Sequence, residues 1–419
     1  MNRALTNTYA LLTEKAIRVT VVAVLTVMIA RVLGPTEFGR LTFAQALLAM
    51  LVPLAHLGLE NVVIRELIRQ PEQRFTLLGT VFLTRIIAAL TVLFAAVIVV
   101  AIVHPVAGLA TTVLVILSLP FTASSTVDYY SRAIERMVWP AIARLSAFAV
   151  YGVGSILVLM LNESPNAIAF GALLLLEQAV LFLLYSLLVS YQVPPQRWRF
   201  DLTVLRPLLR DAWPLMLSAF SIMIYMRVDQ VMIRFMLGES AAGIYSAAVT
   251  ICEIWYFIPM MIMQAMFPRI IALKHQSNHY FALIERVGRN LVLLAFLFAI
   301  ISTISASEVI GLIYGPTYMT AAPALSVGVW GGVFVALGVA QGPWSIAENL
   351  QKLALYRTLS GAAANVILNL ALIPHLGLTG AAAATCISYA ISAFIGNYFS
   401  TRTRPFFKLQ LRMLLPYAR

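Results

Sequence analysis

The feature that most restricts this chain is a series of apolar runs, each long enough to cross a membrane as a helix. Residues 78–103 are typical, with Arg85 the one charge among them. About twenty apolar residues in helical form cross the roughly 30 Å of hydrocarbon in a bilayer. A window of that length places about twelve spans, near residues 9–32, 39–59, 78–103, 106–127, 138–161, 166–191, 213–236, 241–266, 288–313, 320–343, 353–374 and 378–400. With 61% hydrophobic and 11% charged residues among 419, a water-soluble fold is excluded, since soluble domains carry about a quarter charged residues. An all-α polytopic membrane protein is expected. Ordinary cytosolic enzymes and secreted disulfide scaffolds are ruled out with it, and Cys252 and Cys386 both lie inside apolar runs. The first run holds Glu14, Lys15 and Arg18 and continues to about Ala30 with no small-residue cleavage site, unlike a secretory signal.

The formal net charge is +12. In a soluble protein that excess would suggest nucleic acid, but a membrane protein collects Lys and Arg on its cytoplasmic side. With the N-terminus placed inside, 25 of the 29 Lys and Arg residues fall in inner segments. Arg31, Arg40, Arg227 and Arg234 are left for the outer half or the membrane interior. Both termini are therefore expected in the cytoplasm, and no nucleic acid partner is expected.

The second half of the chain repeats features of the first. A shift of 204 residues sets Leu33-Gly34 on Leu237-Gly238, Gly39 on Gly243, Arg85 on Arg289 and Phe94-Ala95 on Phe298-Ala299. A looser shift of 213 pairs Glu135 with Glu348 and Arg144 with Arg357. An offset of six helices, an even number, keeps both copies running the same way through the membrane. Two six-helix bundles related by a parallel repeat follow, at 1–191 and 213–401, with a cytoplasmic linker at 192–212 and a basic cytoplasmic tail at 402–419. The linker, rich in Pro and Arg, reads as an interfacial amphipathic helix. Two bundles joined this way can rock about a site between them, which makes alternating access the natural mechanism.

The outer loops are too short for an extramembrane domain, which counts against a membrane glycosyltransferase or polymerase. There is no GxxxxGK[ST] phosphate loop and no HExxH pattern. His275 and His279, four apart, have no third ligand nearby and read as loop residues rather than a metal site.

An ionised side chain at the bilayer centre costs about 2.5–3.5 kcal/mol on insertion scales, so charges inside the runs are the functional candidates. Glu14 and Arg18, four apart in the first run, are placed to pair with each other, and Arg31 lies at its outer end. Structural pairing and lining of a substrate path both stay open for this group. Arg227 and Asp229 lie well inside the seventh run. Residues two apart point to nearly opposite sides of a helix, so each needs its own partner or water. A wide aqueous cavity would satisfy both, as would a buried network. Glu177 and Glu253 are candidates for counter-ions to the arginines or for a proton or cation relay. Asn365 and Asn369, four apart in the eleventh run, are placed to join helices or to line a sugar path. The basic residues are nearly all Arg, whose planar fork matches phosphate, although a genome rich in G and C would produce the same bias.

Taken in order, Ala30-Arg-Val-Leu-Gly-Pro-Thr-Glu-Phe-Gly39, Tyr225-Met-Arg-Val-Asp-Gln230, Leu237-Gly with Gly243-Ile-Tyr-Ser-Ala247, Tyr314-Gly with Tyr318, Asn365-Val-Ile-Leu-Asn369 and Gly377-Leu-Thr-Gly-Ala381 form a pattern. It resembles the polysaccharide biosynthesis flippases of the Wzx, or O-antigen transporter, type, over essentially the whole chain. These belong to the multidrug/oligosaccharidyl-lipid/polysaccharide exporter superfamily. The resemblance implies two six-helix lobes around a central cavity and no enzymatic activity. It implies a flippase that moves an undecaprenyl pyrophosphate-linked oligosaccharide repeat unit from the inner to the outer leaflet of the bacterial cytoplasmic (inner) membrane, for O-antigen or exopolysaccharide synthesis. By the same resemblance Arg18, Arg31 and Arg227 hold pyrophosphate and saccharide, with Asp229, Asn365 and Asn369 as further substrate contacts. Glu14, Glu177 and Glu253 become candidates for coupling to a proton or sodium gradient, and no cofactor is implied. Membrane lipids and other glycan assembly proteins of the membrane are the remaining expected partners.

Lipid II flippases of this superfamily have two further helices for which the sequence shows no span. Drug and cation antiporters share the twelve-helix plan, but their cavities feature membrane acids, and Arg227 suits a cationic substrate poorly. The alternatives are thus a cation-coupled multidrug or metabolite antiporter and, from another class, a membrane enzyme of glycan assembly.

Overall fold

In lipid every backbone N–H and C=O must find its bond within the protein, so long apolar runs take helical form. The computed structural model describes residues 3–103, 108–274, 277–348 and 350–415, and among them every regular element is a helix. The chain divides into two compact units, Met1–Phe220 and Ser221–Arg419.

The first unit holds α1 (Arg3–His56), α2 (Glu60–Arg69), α3 (Arg74–Val103), α4 (Leu109–Ile116), α5 (Thr126–Ala133), α6 (Val138–Leu161), α7 (Ala167–Gln192) and the start of α8 (Leu202–Leu237). As a straight rod α1 would be about 80 Å long, more than twice the hydrocarbon thickness. It is broken at Gly34, with φ 70° and ψ 172°, a backbone region open essentially to glycine alone. The two rods fold back on each other. Glu14 on the first bonds Arg144, whose other arm reaches Asp128 on α5, while Ala55 on the second packs beside Leu119, just before α5.

The fourth apolar run is likewise no simple helix, because a 3₁₀ segment, Leu119–Ser125, joins α4 to α5. The hydroxyls of Thr122, Ser124 and Thr126 each donate to the carbonyl three residues back. Arg85 of α3 donates to the carbonyls of Thr122 and Ala123 and to the hydroxyls of Ser125 and Thr126, at 2.9–3.4 Å. These bonds satisfy the acceptors that leave the regular α-helical ladder, and Arg85 is fully buried in making them.

Residues 193–201 contain one short 3₁₀ turn, Pro195–Arg197, and the chain is already α8 from Leu202. The linker is therefore no separate interfacial helix. Its apolar residues Leu208 and Ala212 find protein instead of lipid, buried against Val62, Val63 and Leu67 of α2 and Leu77, Leu78 and Val81 of α3. The partner surface, α2, lies between two of the expected spans. Its signal is the helical spacing of Leu59, Val62, Val63 and Leu67. Gly58 seals this junction at φ 65°, and a Cβ there would lie 2.5 Å from the Met216 backbone N and 2.6 Å from the Ala212 carbonyl oxygen. Backbone atoms cannot swing aside, so Gly58→Ala is expected to destabilise the first unit by about 2 kcal/mol or more. Thermal unfolding followed by tryptophan fluorescence in detergent checks this, and an unchanged midpoint would refute it.

The second unit takes the rest of α8 with α9 (Glu239–Ala272), α10 (Ser277–Ile304), α11 (Ala306–Ile313), α12 (Ala322–Gly328), α13 (Gly331–Ala347), α14 (Gln351–Ala393) and α15 (Arg404–Leu414). α8 and α9 run antiparallel about Gly238, with Arg234 bonded to Glu239, Asp229 to Tyr245 and Arg227 to Glu253. Gly238 has φ 95° and ψ 175°, the same region as Gly34. The Leu-Gly repeat is thus a repeat of backbone geometry. α14 is also two rods, broken at Gly377: Arg357 meets Asn397, Gly361 faces Ser392 and Asn365 bonds Thr385, the register of a tight antiparallel pair. The tenth run bends by 47° between Pro316–Gly328 and Gly331–Ala347. Among the described residues nine helices, or ten with that bent pair as one, are long and apolar enough to span. α1 and α14 enter that number once each although each is two rods. The region expected as a tail contains α15, which buries Phe406, Leu409 and Met413, with Phe406 stacked 4.6 Å from Trp344.

Candidate functional site

Four helices of the first unit bring charged groups together. Arg144, the seventh residue of α6, lays its guanidinium against Glu14, with Nε 3.0 Å from each carboxylate oxygen and Nη2 2.6 Å from Oε2. Its Nη1 donates to Asp128 Oδ1 at 2.7 Å and to the Tyr185 hydroxyl at 3.1 Å, and that hydroxyl donates to Asp128 at 3.0 Å. All three charged side chains are nearly buried. Two carboxylates share one guanidinium, so the cluster carries an excess negative charge. One turn beyond Glu14, Arg18 donates to Glu177 of α7 at 3.1 Å; Glu177 is buried, while Arg18 is 38% exposed and lies over the Phe148 ring.

The expected pairing of Glu14 with Arg18 is not made. A pair four apart on one helix surface contributes only about 0.2–0.5 kcal/mol. Each residue instead has a partner on a neighbouring helix, where the bond is shielded and, for Arg144, bidentate.

In the second unit Arg227 Nη2 lies 2.9 Å from Glu253 Oε2, with 26% and 24% of the two side chains exposed. Asp229, two residues on, turns elsewhere, as helical spacing requires. It accepts from the Tyr245 hydroxyl at 2.6 Å, Thr385 Oγ1 at 3.0 Å and the Gln230 backbone N–H at 2.7 Å. Thr385 accepts from Asn365 Nδ2 at 3.3 Å, and Asn365 Oδ1 accepts from Asn369 Nδ2 at 2.9 Å. Tyr245, Asp229, Thr385, Asn365 and Asn369 therefore form one polar thread across α8, α9 and both rods of α14. Asp229, Asn365 and Asn369 are at most 1% exposed. Among the described residues Asp229 has no cation in contact. A pocket lined by Asp229, Tyr245, Cys252, Glu253, Thr385 and Tyr389 lies beside it, and Tyr389 packs edge-on against Tyr225 and Tyr256.

The structure thus joins Arg18 to Glu177, Arg227 to Glu253, and Asp229 to both asparagines. Arg31 is exposed on α1, about 20 Å along the helix from Arg18. His279 is exposed and His275 lies outside the described residues; among the described residues no group of three His, Cys, Asp or Glu could hold a metal ion. Sequence reasoning missed Asp128 and Tyr185 and took Arg144 for a topological charge. Asp128 carried a usable signal, as the one acid between Glu72 and Glu135.

The sequence profile described as polysaccharide biosynthesis protein matches residues 4–274, well over half of the chain. The chain belongs to the polysaccharide biosynthesis protein family. A Haloferax volcanii protein named as a probable low-salt glycan biosynthesis flippase, Agl15, is 25% identical over 179 residues, 42% of this chain and 38% of that protein. The match spans well under half the length of that curated relative. In fold, this polysaccharide biosynthesis protein is similar to a multidrug resistance MATE family transporter of the MOP superfamily, with TM-score 0.75 and 14% identity over 96% of each chain. It is also similar to the lipid II flippase MurJ, with TM-score 0.69 and 12% identity over 96% of this chain and 90% of that one. At such identities the likeness is one of fold. The family member is a multi-pass membrane protein with the fold of that exporter superfamily, and its relatives are of transporter and flippase type.

Proposed function

We propose that this protein is a flippase that carries an undecaprenyl pyrophosphate-linked oligosaccharide, a repeat unit of O-antigen or exopolysaccharide, from the inner to the outer leaflet of the cytoplasmic membrane by alternating access. A headgroup with charges and many hydroxyls cannot cross hydrocarbon unaided. The observation that carries this reading is Arg227, a partly exposed guanidinium on a membrane-spanning helix of a polysaccharide biosynthesis protein, held by a carboxylate it can exchange for phosphate. Arg18, held by Glu177 and more exposed, is a second such contact, and Arg31 is a third nearer the outer end. The polyprenyl tail stays in lipid while the headgroup passes, and other membrane proteins of glycan assembly supply and receive the cargo. No bond is made or broken, so the protein acts as a transporter and not as an enzyme.

Coupling to a proton or sodium gradient is assigned to Asp229 ahead of the glutamates. Glu14, Glu177 and Glu253 each hold an arginine, whereas the hydrogen bonds of the buried Asp229 come from neutral donors and Arg227 acts on it without contact. A proton or small cation is what would neutralise it.

A second reading, a cation-coupled drug or metabolite antiporter, is favoured by the same pocket, where Tyr245, Tyr256 and Tyr389 surround an acid in a manner suited to a cation. Mass spectrometry of polyprenyl-linked glycans in cells lacking the gene, with a sidedness assay, separates the two. A complete repeat unit held in the inner leaflet and released by re-expression is the expected result. An unchanged lipid-linked pool would discard the flippase and direct efflux assays to the antiporter.

A further inference from the structure

Arg144 and Arg357 correspond under the 213-residue shift, and each is the seventh residue of its helix, α6 or α14. The same shift sets Asp128 on Gln341 and Tyr185 on Tyr398, next to Asn397. The contacts follow this correspondence in part: Asn397, and not its neighbour Tyr398, meets Arg357, and Gln341 is joined to Arg357 through Asn397. Arg144 bonds Asp128 and Tyr185. Arg357 donates through Nη1 to Asn397 Oδ1 at 2.5 Å, and Gln341 Nε2 donates to the same oxygen at 2.7 Å. Each unit thus sets an arginine at the same place in its helix beside a polar group, but with a different charge balance. Around Arg144 two carboxylates outnumber the guanidinium. Around Arg357 the polar groups are the amide of Asn397, itself tied to Gln341 and Gln410, and the nearby Tyr225 hydroxyl, and among the described residues no carboxylate contacts it.

Arg357 is held in place yet unsatisfied. Gly396 packs against its methylenes, where a Cβ would lie 3.1 Å from Cγ, and its buried Nε has no acceptor. Anchoring Asn397 requires a donor and not a charge. Arg85 shows that an arginine without a carboxylate can be held by several carbonyls and hydroxyls; among the described residues Arg357 has one side-chain acceptor, Asn397, which leaves donors for an anion from outside the chain.

We infer that Arg357 is an anion-binding position, contributed by the second unit in addition to Arg227, that takes an oxygen of a lipid-borne phosphate. The pyrophosphate of the cargo and a phospholipid headgroup are the two sources of that chemistry, and the first assignment rests on the flippase reading.

Native mass spectrometry of the full chain, purified in detergent and titrated with undecaprenyl pyrophosphate, phosphatidylglycerol and undecaprenol, tests it. Arg357→Gln is expected to weaken phosphate-lipid binding about tenfold or more, with Arg357→Lys within about threefold of the parent and undecaprenol unaffected. Gln341→Glu keeps the arginine and places a carboxylate next to Asn397, the group that Arg357 bonds, and is expected to weaken phosphate-lipid binding at least about threefold. Loss confined to undecaprenyl pyrophosphate identifies the cargo, and loss confined to phosphatidylglycerol identifies the bulk lipid. Parent-like binding of both phosphate lipids by Arg357→Gln and Gln341→Glu would overturn the inference and leave the flippase reading standing. Should the parent bind undecaprenyl pyrophosphate no better than undecaprenol, the flippase reading fails, and the phosphatidylglycerol arm alone decides Arg357.

Discussion

Arg227→Ala is expected to slow cargo movement severely while the protein is still made at its normal level. A charge-assisted bond to phosphate contributes about 1.5–3 kcal/mol, so transport should fall about tenfold to a hundredfold. The measured quantity is the complete lipid-linked repeat unit retained in the inner leaflet. Arg227→Lys keeps the charge but not the planar fork and should retain part of the activity. Because Arg227 holds Glu253 at 2.9 Å, the alanine variant also leaves that carboxylate unpaired, which by itself could disturb α9. The double variant Arg227→Ala with Glu253→Gln removes this ambiguity by restoring neutrality. If the arginine touches cargo, the double variant stays inactive; recovery of transport would show that Arg227 serves only to neutralise Glu253.

Arg144→Leu should produce the largest loss of stability in the first unit. The substitution leaves Glu14 and Asp128, both nearly buried, without the guanidinium that bonds them both. Removing one partner of a buried ion pair costs about 3–5 kcal/mol, mostly through the charge left behind. Thermal unfolding of the detergent-solubilised protein should show a clearly lower midpoint. Adding Glu14→Gln and Asp128→Asn to Arg144→Leu removes the stranded charges and should restore much of the difference. A single variant that unfolds with the parent would mean that the cluster makes no net contribution.

The helical fold and most span positions were legible because hydrocarbon allows few alternatives, and residues 138–161 coincide with α6. The Leu33-Gly34 and Leu237-Gly238 match was legible for a related reason: both glycines adopt a backbone that other residues avoid. α2 and α15 were overlooked because short amphipathic helices are weak signals beside spans twice their length. The 3₁₀ segment before α5 was hidden because, beside its own hydroxyls, its carbonyls are satisfied by Arg85, far away in sequence.

Local patterning could say that Glu14, Arg18, Arg227 and Asp229 each needed a partner, and that Arg227 and Asp229 could not share one. Pairing was beyond it, because a salt bridge is chosen by which helices lie side by side and at what height. The sequence by itself determined a membrane-spanning helical chain with a repeated plan, since the solvent dictates length, apolarity and glycine positions. Only the tertiary structure decided that Arg144 gathers two acids while Arg357 gathers amides, because the charge balance at a buried point is the sum over helices that sequence separation keeps apart.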